Sequence, residues 1–392
     1  MDAAPQQLTR LLSHGMDTDA VNADWPALTI EEARAVLAQY PQTGAVEHLV
    51  WHSPRPFSAA CVAHTSVGNV LIKRHHHSIR TIAQLDEEHA FIRHLHSKGI
   101  PVSVPLTTSD GASAMTLGDW SYEVYWRAAG CDIYRDAMSW TAFQSTHHAF
   151  EAGQTLARVH LAAADYHAPQ RQMCTLVSGF SLFGATDPVA AMAAYIAQEP
   201  AIAAYLAGRD WQTEVRDALM PFHRALQPFQ DALTPLWTHN DWHASNLLWS
   251  DNTRTASVTT IMDFGLANRT SALFDLATAI ERNVIDWLNH PHTPTDMVHY
   301  DQLAALLAGY HSKNPLSARQ LQALAAILPL VHTDFALSEL AYFNGITRSA
   351  KNARLAYDGY FLGHATWFAQ AQGQTLLHWI ATYAVPDAPS DA

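Results

Sequence analysis

Cysteine is scarce in this chain of 392 residues. Cys61, Cys131 and Cys174 are odd in number, widely spaced and free of any CxxC pair, which argues against a disulfide framework or a cysteine-built zinc site and fits a reducing cytoplasm. Positive charge is also short, with 23 Lys and Arg against 36 Asp and Glu, a formal net charge of -13. The acidic excess is spread along the chain, so no basic surface is expected for nucleic acid or an anionic membrane. No uninterrupted apolar run reaches the roughly 18 residues of a membrane span; polar positions break every candidate, including Leu321 to Leu337. The opening "MDAAPQQLTRLLSHG" has neither the basic start nor the apolar centre of a secretory signal. Repeats and long low-complexity tracts are absent as well. What is there is 48% hydrophobic and 15% charged, enough for a sizeable core and two lobes.

The first third reads as one helix followed by strands. Thr29 to Tyr40 has a capping box, with Thr29 as cap and Glu32 three residues on. Val46 to Trp51, Phe57 to His64 and Asn69 to Arg74 are short apolar or β-branched runs separated by "HSPRPF" and "TSVG", which predicts three antiparallel strands. Ile82 to Lys98 has helical spacing with Leu85, Glu88, Ile92 and Leu95 on one side, and Gly99 ends it. Two more strands are predicted at Ala114 to Leu117 and Ser121 to Trp126.

After "RAAG", Arg127 to Gly130, the pattern turns helical over Trp140 to Asp165, Pro188 to Gln198 and Trp211 to about Gln230. The expected boundary therefore falls near Ala129, giving 1–129 and 130–392. A short hairpin, Leu247 to Trp249 and Val258 to Met262, interrupts the helical half. Helices resume at Ala272, broken by Pro291, Pro294, Pro315 and Pro329.

The chemistry gathers around that hairpin. In "HNDWHASNLLW", His239 and His243 are four apart, but no glutamate stands at the HExxH position and strands flank the segment, so zinc is a weak reading. Asn and Asp also favour turns for conformational reasons alone. Downstream, "IMDFGLANRTSALFDLA" places Asp263 where an apolar strand ends. An acid there, across a short hairpin from an Asp-x4-Asn element, is how phosphoryl transfer assembles a base with two metal ligands.

The pattern His239-x-Asp241-x4-Asn246, then Asp263-Phe264-Gly265, then Asp275-Leu276-Ala277 resembles the aminoglycoside phosphotransferase and choline kinase superfamily, with homoserine kinase-like and bacterial stress-response kinases as relatives. The resemblance extends upstream through "DEEHAFIRHLHSKGIPVSVP" to "NVLIKRH", where Lys73 ends a strand, and covers about Val46 to Ala279. It implies a bilobal α+β protein-kinase-like fold, with a small antiparallel-sheet N-lobe and a larger helical C-lobe. It further implies ATP and Mg2+ as cofactors and transfer of a phosphoryl group to a hydroxyl of a small metabolite or antibiotic. On that reading Asp241 is the base, Asn246 and Asp263 are the metal ligands, and Lys73 contacts the phosphates. Glu88 holds Lys73, chosen over Glu87 because it shares a face with Leu85 and Ile92. His243 stands where protein kinases carry a lysine near the γ-phosphate, while His239 and Asp275 brace the loop.

Two departures stand out. The family's usual glycine after the first histidine is Asn240, which constrains the backbone there, and the nucleotide loop "HSPRPFSA" has no GxGxxG, leaving Ser53, Arg55 and Ser58 as phosphate neighbours. "RHHH", Arg74 to His77, reads as a polar loop rather than a metal tract. Trp287, Phe335, Tyr342 and Trp367 are candidate walls of an acceptor pocket, though helical spacing alone predicts core. The alternatives are a protein Ser/Thr kinase of the stress-response type and a nucleotide-binding pseudokinase. Against the first, only eleven residues separate Asp263 from Asp275, too few for an extended peptide-docking segment.

Overall fold

The structure is a computed structural model and describes residues 24–53, 57–137, 139–289 and 297–385. Two compact units emerge. The first comprises the chain up to 138 with 247–252 and 258–265, and the second takes 139–246, 253–257 and 266–392. A single cut near Ala129 does not describe this division, because the two strands of the hairpin, within 247–252 and 258–265, belong with the first unit. Its strands β7 (Leu247–Trp249) and β8 (Val258–Ile261) are tied there by bridges from Trp249 to Cys131 and from Ile261 to Val102.

The first unit carries β1 (Val46–His52), β2 (Ala59–Thr65), β3 (Asn69–His76), β4 (Ala114–Leu117) and β5 (Trp120–Trp126) in the order β1-β2-β3-β5-β4. Every neighbouring pair is antiparallel. Side chains alternate across the sheet. Cys61, Ala63, Val70, Ile72, Tyr122 and Val124 form a core with Ala33, Val36 and Leu37 of the Ile30–Leu37 helix. Burying each of Val36 and Leu37 contributes about 1.5–3 kcal/mol. The other parity, which includes Lys73, His75, Glu123 and Tyr125, faces away from that core and is available to chemistry.

β3 runs through His76, so most of "RHHH" is strand, not loop. Arg74 points into the helix side, pairs with Glu32 at 2.8 Å and lies 4.1 Å over the Trp120 ring. The expected capping box of Thr29 with Glu32 is present, and a second one, not read from the sequence, joins Thr81 with Gln84 at the head of the Ile82–Ser97 helix.

In the second unit the predicted Trp140 to Asp165 helix is shorter, Thr146–Ala162, because Ser145 caps it. The predicted Trp211 to Gln230 helix breaks into Trp211–Ala218, Met220–Leu226 and a 3-10 turn, each break carrying a proline, Pro221 or Pro228, near the start of the next piece. The Thr146–Ala162 and Tyr300–His311 helices approach closely through Gly153 and Gly309. A β-carbon on Gly309 would collide with the Phe150 carbonyl, and one on Gly153 with the Leu306 carbonyl. Two strands missed in the sequence, β6 (Pro235–Thr238) and β9 (Asn268–Ser271), pair antiparallel on either side of the His239–Asn246 loop in the chain. One continuous helical run, Ala318–Thr347, contains an 18-residue window of mean hydropathy 1.4, against the sequence expectation that none would qualify. That window is 89% buried inside the protein, as a core helix is.

Candidate active site

Lys73 and Asp263 meet in the first unit. Lys73 extends from β3, and Asp263 follows β8 with a left-handed φ of 57°, a conformation that Asp tolerates better than most residues. Lys73 Nζ donates to Asp263 Oδ1 at 3.1 Å and stands 3.6 Å from Glu123 Oε1. Burial works against the ammonium, but Asp263 and Glu123 outweigh it and hold the Lys73 pKa above its ordinary value. The Asp263 side chain is 48% exposed and Lys73 only 17%, so the carboxylate is the group open to an incoming ligand.

Glu88 does not hold Lys73. Its Oε1 accepts from Arg80 Nε at 3.0 Å, and it acts on Lys73 only as a more distant charge. The acid beside the lysine is Glu123, directly opposite Lys73 in the β3–β5 register. Sequence reasoning missed it, although a glutamate inside the apolar strand "WSYEVYW" is a signal in itself, since a buried acid requires partners. Ser53 follows β1 and Ser58 precedes β2 in the chain. Arg55 lies outside the described residues.

The second unit holds the His239–Asn246 loop. Asp241 is 18% exposed and faces His243 Nε2 at 3.5 Å and Arg282 Nη2 at 3.6 Å. Asn246 Nδ2 donates to the Asp241 carbonyl at 2.9 Å and to its Oδ2 at 3.1 Å, which leaves the Asn246 amide oxygen as the atom for a cation. Burial pushes the Asp241 pKa up, yet His243, Arg282 and His239 more than reverse this, so the carboxyl sits well below its usual range and stays ionised. Arg282 was not picked out from the sequence. His243 is aimed at Asp241 and is fixed on its other side by the Ser245 hydroxyl at 2.8 Å.

Asp275 braces this loop, as expected. It is fully buried in the first turn of the Ala272–Asn283 helix, a position the helix dipole favours for an acid. Its carboxylate accepts the backbone N–H groups of His239 at 2.9 Å and Asn240 at 2.8 Å, and His160 Nε2 at 3.0 Å. His160 is itself bonded to the Tyr310 hydroxyl at 2.8 Å, so the close helix pair described above reaches the loop. Asn240 takes a left-handed φ of 61°, which explains why a glycine suits this position and how Asn replaces it. The Asn240 side chain adds something glycine lacks: its Oδ1 accepts from Thr238 at 2.8 Å and Thr270 at 3.0 Å.

From Arg282 a buried polar cluster continues. Arg282 Nε stands 3.6 Å from Glu281 Oε2, and Glu281 Oε1 is 3.3 Å from His364 Nδ1 and accepts from Trp140 Nε1 at 2.8 Å. His332 Nε2 lies 3.8 Å from Glu339 Oε2. Glu281 Oε2, Glu339 Oε2, His332 Nε2, His364 Nδ1 and the Tyr360 hydroxyl are all buried without a hydrogen bond. Burial drives the Glu339 pKa up to about 8 and the His332 pKa down to about 3. Glu281 stays near 2, since His332, His364 and Arg282 outweigh its burial. Of the expected wall aromatics, Trp287 stacks on His364 at 3.8 Å, Phe335 meets His332 edge-on at 5.7 Å and Trp367 abuts Trp287 at 5.1 Å. Tyr342 instead packs on Phe343.

Known proteins are similar to this chain in sequence and in fold. A homoserine kinase from Rhodospirillum rubrum is 28% identical over 199 residues, 48% of this chain and 50% of the relative, so the match spans about half the length of each. A microcompartment-associated aminopropanol kinase has the same fold with a TM-score of 0.58 at 15% identity, covering 87% of this chain and 98% of that one. An amicoumacin kinase in complex with AMP-PNP and Ca2+ gives 0.56 at 14% identity, covering 86% and 94%. The model of the phosphotransferase enzyme family matches residues 58–321, more than half the chain, from just before β2 through Lys73, the His239–Asn246 loop, Asp263 and Arg282, and the chain belongs to that family.

Proposed function

We propose that the chain is an ATP-dependent phosphotransferase that phosphorylates a hydroxyl group of a small molecule. The observation that carries this reading is an ionised, largely buried Asp241 continuous, through Arg282, with the polar and aromatic cluster of Glu281, His332, Glu339 and His364. Asp241 accepts the proton of the acceptor hydroxyl. A weak base suffices where the transition state is loose and most of the catalysis is positioning and charge stabilisation. Lys73 binds phosphate oxygens, and His243 steadies Asp241 and the transferring group.

Magnesium fits the donor set. Asp263 and Asn246 each offer an oxygen, the atom a hard cation prefers, and among the described residues no group of three or more His, Cys, Asp or Glu builds a cage. Phosphates and water complete such a shell, and the bound ion neutralises phosphate charge. The cluster's unsatisfied buried atoms favour a compact, polar acceptor, which would give them the hydrogen bonds they lack. A protein hydroxyl is disfavoured because β9 and the Ala272–Asn283 helix already occupy the short interval after Asp263.

ADP release measured across amino alcohols, aminoglycosides, nucleosides and sugars tests the reading. A small hydroxyl compound is expected to stimulate release well above the basal rate. Site-selective phosphorylation of a protein, with no stimulation by the panel, would overturn the small-molecule assignment.

A further inference from the structure

Two buried acids near Lys73 have unlike surroundings. Glu123 is 2% exposed and both of its oxygens are engaged: Oε1 by His75 Nε2 at 3.0 Å and by Lys73 at 3.6 Å, Oε2 by His89 Nε2 at 2.8 Å and by the Tyr125 hydroxyl. His89 is anchored in turn, with Nδ1 2.9 Å from the Ser113 hydroxyl. Such a carboxylate has no rotamer freedom left, and the β3–β5 register sets it opposite the lysine it faces. Glu88, 4% exposed, is engaged elsewhere. It holds Arg80, whose Nη1 donates to the Ile79 carbonyl at 3.0 Å and whose Nη2 donates to the Gly265 carbonyl at 2.8 Å. Gly265 is two residues past Asp263.

We infer that the two acids have divided the work: Glu123 on β5 is the positioning residue for Lys73, while Glu88 on the Ile82–Ser97 helix acts through Arg80 on the Asp263–Gly265 turn. The argument is one of geometry and rests on the reading that Lys73 binds nucleotide phosphates. A long, flexible ammonium needs a fixed counter-charge to be pre-organised, and among the described residues only Glu123 and Asp263 lie within ion-pair distance of it. Asp263 is the more exposed of the two and is the carboxylate that the proposed function assigns to the cation, so Glu123 is the anchor that remains for the lysine. A guanidinium fork clamped by Glu88 suits a backbone carbonyl, and that clamp fixes where the Asp263 carboxylate points.

ADP affinity measured by calorimetry, with no acceptor and no turnover, tests the division. Glu123→Gln is expected to weaken ADP about tenfold to a hundredfold, whether magnesium is present or chelated. In a Lys73→Met background the same change is expected to cost nothing further, a cycle that a merely structural role would not close. Glu88→Gln is expected to raise the magnesium concentration needed for half-maximal ADP binding, to leave metal-free affinity unchanged, and to keep its full effect in the Lys73→Met background. Wild-type affinity in Glu123→Gln, or a Glu88→Gln effect that disappears with Lys73→Met, would overturn the inference. The Glu88 arm decides the matter even if Glu123→Gln fails to fold. A wild-type chain that binds no nucleotide would overturn the phosphotransferase reading and this inference with it.

Discussion

On the proposed reading Asp241 has the highest stakes of any single side chain, because proton acceptance and a negative charge would reside in one largely buried group. Replacing it with Asn keeps the shape and the Asn246 contact while removing both. Turnover is expected to fall by about a hundredfold to ten-thousandfold, with MgATP affinity largely kept; equal loss of both would assign the residue to folding. Glu281→Gln should raise the acceptor KM and leave the ATP KM near its starting value, and a reversed pattern would remove Glu281 from the acceptor's surroundings. Asn240 separates conformation from contacts. Asn240→Gly is expected to cost little, its backbone ease offsetting the lost side-chain hydrogen bonds to Thr238, Thr270 and the Leu266 carbonyl, whereas Asn240→Val forces a β-branched residue to a φ of 61° and should destabilise by at least about 1–2 kcal/mol, read from thermal unfolding. Asp241, Asn246 and Asp263 were visible in the sequence because their chemistry is local: an Asp-x4-Asn spacing and an acid closing an apolar strand. Glu123 and Arg282 were not, because their partners arrive through a strand register and a helix face that sequence distance conceals.

Elements carry the next level of control, since the loop that holds Asp241 is only as rigid as what packs behind it. The Thr146–Ala162 and Tyr300–His311 helices touch through Gly153 and Gly309, and the first presents His160 to Asp275. Gly309→Ala places a methyl against the Phe150 carbonyl and must spread the pair. The expected cost is about 1–3 kcal/mol, together with a fall in kcat larger than any change in nucleotide KM, because His160 would be drawn off the acid that holds the loop's amides. A stability loss with kcat unchanged would show that the helix pair does not reach the loop. Long periodic segments such as Ile82–Ser97, and the capped start at Thr29, could be read directly from the sequence. The four-residue ladder of β6 and β9 could not, because so short a run has no detectable period and its pairing depends on residues thirty or more positions apart. The break at Pro221 was legible in principle, and the apolar spacing across it concealed it.

For the whole molecule, the buried charges set opposing slopes of stability against pH. Asp241 and Glu281 have folded pKa values below their ordinary ones, so the stability they contribute is present above about pH 4 and is lost as pH falls through the folded values. His332 is kept neutral, its pKa lowered from 6.5 to about 3, so acid below 6.5 favours the unfolded chain, where it can charge. Glu339 and Asp334 run the other way. Burial raises them to about 8 and about 7, and the folded state holds their protons more tightly than the unfolded chain does. Their contribution is complete below their unfolded values near 4.5 and 3.8 and is lost as pH rises through the folded ones. Glu339 faces Arg282, Glu281, Asp241 and His332, so its ionisation adds negative charge to a cluster that already holds two ionised acids against one guanidinium. Glu339→Gln removes that titration while keeping the shape. Relative to wild type, this variant is expected to gain stability steadily between pH 5 and pH 8.5 in urea-unfolding midpoints, and to show no such trend below pH 4.5. A difference independent of pH would mean that Glu339 is ionised throughout. The same titration bears on the acceptor: a cationic group entering the cluster would draw the Glu339 proton off. A binding enthalpy that varies with the ionisation enthalpy of the buffer in the wild type, and not in Glu339→Gln, would then show that the acid raised by burial is the one the acceptor meets.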